Sequence, residues 1–466
     1  MLRRCSWTQG TLPMTQIRFL SKSRLLVLLI HVLVFIPAAS AQGRLPEADY
    51  FSLTPAEWDA FGYQVVEYND RLLISAPAFD SQVSGMVYLF DKNTKEIVHV
   101  FHPDDDVVES RLYGVNIAIS DDCIVISAAS GSADSLVFVH DPVTFELIAT
   151  IELSSDKVSY SLGISMDLDG ADLLIGLPFS DVHGLSAGQA LLYHAPTAML
   201  LQEITRSEYG GGGFGSSVQI NDKHIVVTAT GIKPNGRDYG AVYLFDRDNG
   251  QQLNMLVDNQ VTDDNTSFGY SVRLEQNTLA VSRSVFDITD INNQVYSIQL
   301  FDITDPSDQT PSYSVIEMPE TIYNLQRFGV AIALNDQYIV LNGQTGLGHL
   351  DWTMGIFVYD LQSLSLIEVI RTDRVFQAEV YISPVLDYTD QLFFGHMASG
   401  IEGPTGPGIV HQYQLTDCPQ DINHDGSLDT EDINQFIQAR MDWNDTLSFN
   451  YFDISAFIEG FLAGCP

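Results

Sequence analysis

Short apolar runs recur along this chain in a fixed order, with the same polar punctuation between them. An aromatic residue followed by glycine opens most units: Phe61-Gly62, Tyr113-Gly114, Phe214-Gly215, Phe268-Gly269 and Phe328-Gly329, with Leu162-Gly163 standing in once. A polar turn follows the first run, as at Asn69-Asp70, Asn221-Asp222 and Asn335-Asp336. The second run reads Leu72-Leu73-Ile74-Ser75-Ala76-Pro77 in one unit and Ile225-Val226-Val227-Thr228-Ala229 in another. A third closes on aspartate, as in Val87-Tyr88-Leu89-Phe90-Asp91, Val242-Tyr243-Leu244-Phe245-Asp246, Ile298-Gln299-Leu300-Phe301-Asp302 and Phe357-Val358-Tyr359-Asp360. These runs are apolar at odd and even positions alike, whereas a strand with one wet face alternates. They predict strands buried on both faces, in sheets that stack. The Asn-Asp pairs supply turn chemistry between the first two strands. The glycine after the aromatic allows a positive φ or a close backbone approach.

A fourth, less regular strand is predicted in each unit, as at Glu96-Ile97-Val98-His99-Val100 and Leu366-Ile367-Glu368-Val369-Ile370. The unit starts at 61, 113, 162, 214, 268 and 328 are 49 to 60 residues apart. A seventh, degraded unit is expected near Val380-Tyr381-Ile382, continuing through Leu392-Phe393-Phe394-Gly395 and Ile409-Val410-His411-Gln412-Tyr413. Seven units of this length predict an all-β, seven-bladed propeller of four-stranded blades. The last unit runs out after its third strand. Its fourth is expected from the N-terminal side, with residues 48–53 pairing with residues 409–415 and closing the ring, which removes exposed sheet edges.

Phe-Gly followed by a strand ending in Ser75-Ala76-Pro77 or Gly176-Leu177-Pro178 resembles the FG-GAP repeat of integrin α-subunit propellers and of many secreted bacterial proteins. The resemblance covers residues 46–415. Many blades of that family carry an Asp-x-Asp-x-Asp-Gly calcium loop. Only Asp167-Leu168-Asp169-Gly170-Ala171-Asp172 comes near it here, and it is too short to supply the ligands.

The first 41 residues have the layout of a secretory signal peptide. Arg18, Lys22 and Arg24 precede an apolar run over residues 25–36, and Ala39-Ser40-Ala41 offers a cleavage site. Met1 or Met14 could be the start. This run is too short for a membrane span, and no later stretch is long enough. The segment carries five basic residues (Arg3, Arg4, Arg18, Lys22, Arg24) and no acidic one, so its loss takes the formal charge from −38 to −43. Such a chain will not bind nucleic acid through phosphates. Its surface favours solubility and attracts cations. Export also places Cys418 and Cys465 in an oxidising compartment, where they are expected to pair as a disulfide across residues 417–466. Cys123, inside Cys123-Ile124-Val125-Ile126, is expected to be a core thiol.

Residues 417–466 read as a separate helical module with two calcium loops. In the first, Asp421, Asn423 and Asp425 occupy loop positions one, three and five, Gly426 makes the turn, and Ser427 offers its carbonyl. Asp429 sits at nine and Asp432 at twelve, so hard oxygens for Ca2+ fall in register. Ile433, Phe436 and Ile437 then give a helix its buried face. The second loop places Asp442, Asn444, Asn450 and Asp453 on the same frame. Thr446 and Leu447 stand where Asp and Gly are wanted, so weaker binding is expected. Two loop-helix units with Asp at position twelve, ending in Ala463-Gly464-Cys465-Pro466, resemble a dockerin of the kind found on secreted planctomycete-like proteins. That resemblance implies calcium-dependent docking to a cohesin-like or envelope component.

Catalytic motifs are missing. There is no Gly-x-Ser-x-Gly elbow and no His-Glu-x-x-His, and Gly210-Gly211-Gly212-Gly213-Phe214-Gly215 lacks the lysine and helix of a phosphate loop. His99 and His102 are three apart on an expected strand and cannot chelate together. Asp80, Asp134, Asp181, Asp238, Asp287 and Asp351 recur between second and third strands, either as turn formers or as a carboxylate ring for cations or glycans. The expected function is a secreted, non-enzymatic binding or adhesion protein, with the propeller as recognition surface, possible glycan contact, and the tail as attachment. The alternative is a propeller enzyme acting on polysaccharide. A structural surface-layer component is a third reading.

Overall fold

The computed structural model describes residues 48–52, 60–77, 85–103, 110–130, 135–153, 165–206, 212–231, 240–258, 266–286, 294–308, 313–317, 328–346, 352–371, 384–386, 390–396 and 408–415. Residues 1–41, expected to be a signal segment, and residues 417–466, with the two expected calcium loops and the expected Cys418–Cys465 disulfide, lie outside the described residues.

Within 48–415 the strands form seven antiparallel sheets. Blade one runs Val65–Tyr68, Arg71–Ala76, Met86–Asp91 and Ile97–Phe101 in sequence order, and blades three to six repeat that order. Each blade's first strand touches the first strand of the next blade, and the seventh touches the first, so the ring is closed. Seven hydrophobic clusters fill the wedges, each built from two consecutive blades. Neighbouring residues on one strand serve different wedges. Leu173 packs toward blade two and Leu174 toward blade four. That is why these strands carry no polar alternation.

The aromatic-glycine pair has a specific packing role. Phe61, Phe214 and Phe328 are buried edge-on against two aromatics of their own blade's third strand: Tyr88 and Phe90, Tyr243 and Phe245, Phe357 and Tyr359, at centroid distances of 5.3–6.4 Å. The glycine that follows adopts a positive φ, +86° at Gly62 and +78° at Gly269. The chain then skips a stretch of ladder. In place of ladder bonds, a polar side chain on the second strand accepts an N–H from the first. Ser75 takes that of Gln64 (3.0 Å), Ser127 that of Asn116 (3.0 Å) and Thr228 that of Ser217 (3.0 Å). Ser282 takes that of Ser271 (2.7 Å) and Asn342 that of Ala331 (2.8 Å). This gives the serine of Ser75-Ala76-Pro77 a structural reason, since a buried N–H needs an acceptor.

Residues Ala48–Phe51 pair antiparallel with Ile409–Gln414, as expected, with Ala48 opposite Gln412 and Phe51 opposite Ile409. The Tyr50 hydroxyl donates to Gln412 Oε1 at 2.9 Å, and His411 Nδ1 lies 2.7 Å from an Asp49 carboxylate oxygen. The seventh blade therefore holds Pro384–Leu386, Gln391–His396, Ile409–Gln414 and the N-terminal strand.

The hairpin turns follow two mechanisms. Asn69 takes the left-handed conformation (φ +56°), whereas Asn221 and Asn335 accept the N–H groups two and three residues on. Aspartates closing third strands act in the same way. N–H and hydroxyl donors from Thr94, Thr144, Thr304 and Ser363 hold the carboxyls of Asp91, Asp141, Asp302 and Asp360 below the usual range. Blade two has an unexpected extra strand, Ser110–Arg111, paired with the far end of its second strand. Cys123 is fully buried and unpaired, as expected, and burial pushes its thiol up to about 11.

Candidate functional site in the axial cavity

The first strand of each blade borders a central cavity of about 860 Å³. All seven contribute to its wall, together with hairpin residues such as Asp70, Gly170, Asn221, Asp222 and Gln276. The wall differs from side to side, and the ladder registers show how. Consider the first-strand residue paired with the position two before Ser75 or its counterpart in each blade. Around the ring it is Val66, Ala118, Asp167, Gln219, Arg273, Ala333 and Val385. Three consecutive blades thus present Asp, Gln and Arg, and the other four present small apolar side chains.

The polar arc also serves the backbone. First strands are sheet edges, and their outward N–H groups need acceptors. Asp167 Oδ2 accepts the N–H of Ile220 in the next blade at 2.7 Å, and Gln219 Oε1 accepts that of Leu274 in the blade after, at 3.2 Å. Arg273 has no acceptor to offer. Its Nε is buried and has no hydrogen-bond partner among the described residues. Burial among the cavity walls pushes the Asp167 carboxyl up to about 6, opposed by the charge of Arg273 and by the Ile220 N–H.

Several other charges along the wall are engaged. Lys92 lies 2.7 Å from Glu67. Asp169 pairs with Arg247, which also reaches Asp172 at 3.0 Å, joining blades three and four. Asp70 accepts from Asn93 at 3.0 Å. Across the rim, Ser120 donates to the Gly170 carbonyl (2.8 Å) and Asn221 to that of Gln276 (2.9 Å), stitching hairpins of adjacent blades.

Of the aspartates between second and third strands, Asp181 is described. Its carboxylate accepts the Ser186 N–H at 2.6 Å, which is turn chemistry. Asp80, Asp134, Asp238, Asp287 and Asp351 lie outside the described residues, as do Asp421, Asn423, Asp425, Ser427, Asp429, Asp432, Asp442, Asn444, Asn450 and Asp453, the expected calcium ligands. His99 stacks on Phe145 at 4.7 Å, and His102 Nδ1 lies 3.3 Å from the carbonyl oxygen of Pro103. Among the described residues no three His, Cys, Asp or Glu side chains gather as a metal site. The Asp167–Gly170 stretch, compared above with a calcium loop, instead forms part of a hairpin within blade three. The Asp-Gln-Arg arc was not read from the sequence. Its members are isolated polar residues in apolar strands, and they become a set only when the units are aligned on the serine.

No protein-family model matches the chain, and no curated protein matches it. Among solved structures it is similar to the Dos1 propeller (14% identity, TM-score 0.41, covering 73% of this chain and 75% of that one). It is also similar to Sqt1 of Saccharomyces cerevisiae (10%, 0.41, 81% and 86%) and to a europium-containing methanol dehydrogenase (8%, 0.39, 81% and 96%). These likenesses carry no argument about what the cavity holds. The blade count rests on the strand order: residues 48–415 form a seven-bladed, all-β propeller.

Proposed function

We propose that this chain is an exported recognition protein. The propeller binds a ligand in its axial cavity, and residues 417–466 attach it to a cohesin-like or envelope partner in a calcium-dependent way. The observation that carries the reading is the axial cavity itself, one level of whose wall presents Asp167, Gln219 and Arg273 on three consecutive blades and Val66, Ala118, Ala333 and Val385 on the other four. Its volume is in the usual range of ligand pockets. The attachment role rests on the sequence of the tail, with Asp421, Asn423, Asp425, Asp429 and Asp432 in calcium-loop register.

A polysaccharide-acting enzyme is the second reading. It is favoured by Asp167, whose carboxyl near 6 is in the range of a general acid working near neutral pH. Recognition stands ahead of it because Asp167 already holds the next blade together through Ile220, and Asp169 and Glu67 are ion-paired.

The deciding experiment captures partners from the source organism's envelope. The chain from residue 42 is compared with a version ending at Thr416, each with calcium and with chelator. Capture that needs both the tail and calcium supports the attachment role. Equal capture by the shortened ring in chelator assigns partner binding to the propeller and overturns that role. Release of reducing ends from polysaccharide by the chain, abolished in Asp167→Asn, would replace recognition with catalysis.

A further inference from the structure

We propose that the axial cavity binds a singly charged sugar acid, its carboxylate on Arg273, its hydroxyls on Gln219 and Asp167, and its C–H face on the apolar wall. This deepens the recognition reading and rests on it.

The argument begins with Arg273. A guanidinium offers five N–H donors in a planar fork that matches a carboxylate. The other basic side chains at or near this wall are occupied: Lys92 by Glu67, Arg247 by Asp169 and Asp172. Arg273 lines the cavity and makes no ion pair at contact distance among the described residues, and its charge is near enough to Asp167 to act on that carboxyl. A ligand carboxylate in the cavity would pair with this guanidinium.

Its neighbours narrow the class. Asp167 and Gln219 sit on the two preceding blades in the same ladder position. Asp167 accepts the N–H groups of Ile220 and Leu168, while Gln219 accepts that of Leu274 and donates to the Val218 carbonyl; the remaining carboxylate lone pairs and the second amide N–H leave capacity for a hydroxyl. Opposite them, Val66, Ala118, Ala333 and Val385 offer an apolar surface to the C–H face of a ring. One carboxylate, several hydroxyls and one apolar face describe a sugar acid.

The charge balance limits the ligand to one negative charge. Asp70, Asp167, Asp169, Asp222, Glu67 and Glu275 also border the cavity, and the chain carries a net −38. This field repels a polyanion. One carboxylate can be neutralised locally by Arg273.

The test is calorimetric titration of the full chain with D-galacturonate, with D-galactose as its neutral twin and acetate as the bare carboxylate. Galacturonate is expected to bind at least tenfold more tightly than either. Arg273→Gln should weaken it at least tenfold. Lys223→Gln, which removes one exposed positive charge outside the cavity, should change it less than twofold. Arg273→Lys keeps the charge and loses the fork, so an intermediate loss is expected, and thermal melting checks that each variant folds. Equal binding by Arg273→Gln, or galactose as tight as galacturonate, overturns the carboxylate assignment. No heat with any probe also overturns it. If the propeller ending at Thr416 still captures an envelope partner in that case, recognition stands and only the ligand class falls.

Discussion

Ser282 carries a hydroxyl whose work is invisible in a hydropathy plot. It accepts the Ser271 N–H at 2.7 Å in a region where no ladder partner is available. Ser282→Ala should cost about 1–3 kcal/mol, read from urea unfolding, because a buried donor is left unpaired. Loss below 0.3 kcal/mol would show that another acceptor takes over. Asp167 has a different signature. Its folded carboxyl titrates near 6, above the ordinary 3.8, so the native state binds more protons than the unfolded chain between those values. Stability from this group therefore rises as pH falls from 6 towards 4 and is lost as pH rises through 6. Asp167→Asn keeps an oxygen for the Ile220 N–H and removes the buried charge. It should raise stability at pH 8 by about 1–2 kcal/mol and give no gain at pH 4. A gain that is the same at both pH values would assign the effect to packing.

At the scale of elements, the contact between blades seven and one depends on glycines. Gly62 has φ +86° and packs on Gly395, where a Cβ would overlap the Gly62 carbonyl oxygen. Gly395→Ala should lower the melting temperature by several degrees, because the overlap is with backbone that cannot swing aside. An unchanged melting temperature would mean that the closing blade yields. The same device recurs ahead of third strands. Gly85, Gly188, Gly240 and Gly408 face the carbonyl of the next blade's opening aromatic: Tyr113, Phe214, Phe268 and Phe61. That signal was present in the sequence as a glycine just before Met86, Gln189, Ala241 and Ile409, but it was hidden because glycine also marks ordinary turns. The N-terminal strand is the element with the largest leverage. Deleting residues 42–53 strips Tyr50 from its contacts with Phe90 and Phe393 and exposes the Ile409–Gln414 edge. The shortened chain is expected to melt earlier and to self-associate in size-exclusion chromatography. A stable monomer would show that the ring tolerates an open blade.

At the scale of the whole molecule, blade number, strand order and ring closure were legible because they follow from burial. Strands such as Leu72-Leu73-Ile74 are apolar on both faces since each sheet is sandwiched, and a repeat near fifty residues leaves room for four strands. The cavity was not legible. Asp167 was read with Asp169 and Asp172 as a near-miss calcium loop, and Arg273 is one arginine in Ser271-Val272-Arg273-Leu274. Which residues share a level around the axis depends on ladder register, and the unit spacing of 49 to 60 residues blurs it. The tail presents the reverse case. The calcium pattern proposed for it is sharp in sequence because calcium coordination draws on neighbouring residues, whereas spacing alone does not give a partner surface.

The Tyr50–Gln412 hydrogen bond joins residues 362 positions apart. Every other blade pairs its strands within one unit and can form as soon as that unit is available. The closing blade must bring together two distant stretches, and joining ends so far apart costs about 5 kcal/mol of chain entropy beyond a constant. Closure is therefore expected to be slower than strand pairing within a unit. Until it ends, an arc of finished blades carries one bare edge at each side, able to accept the strand of another copy. The yield of monomer on refolding should fall as protein concentration rises, set by a race between one intramolecular search and collisions among open arcs.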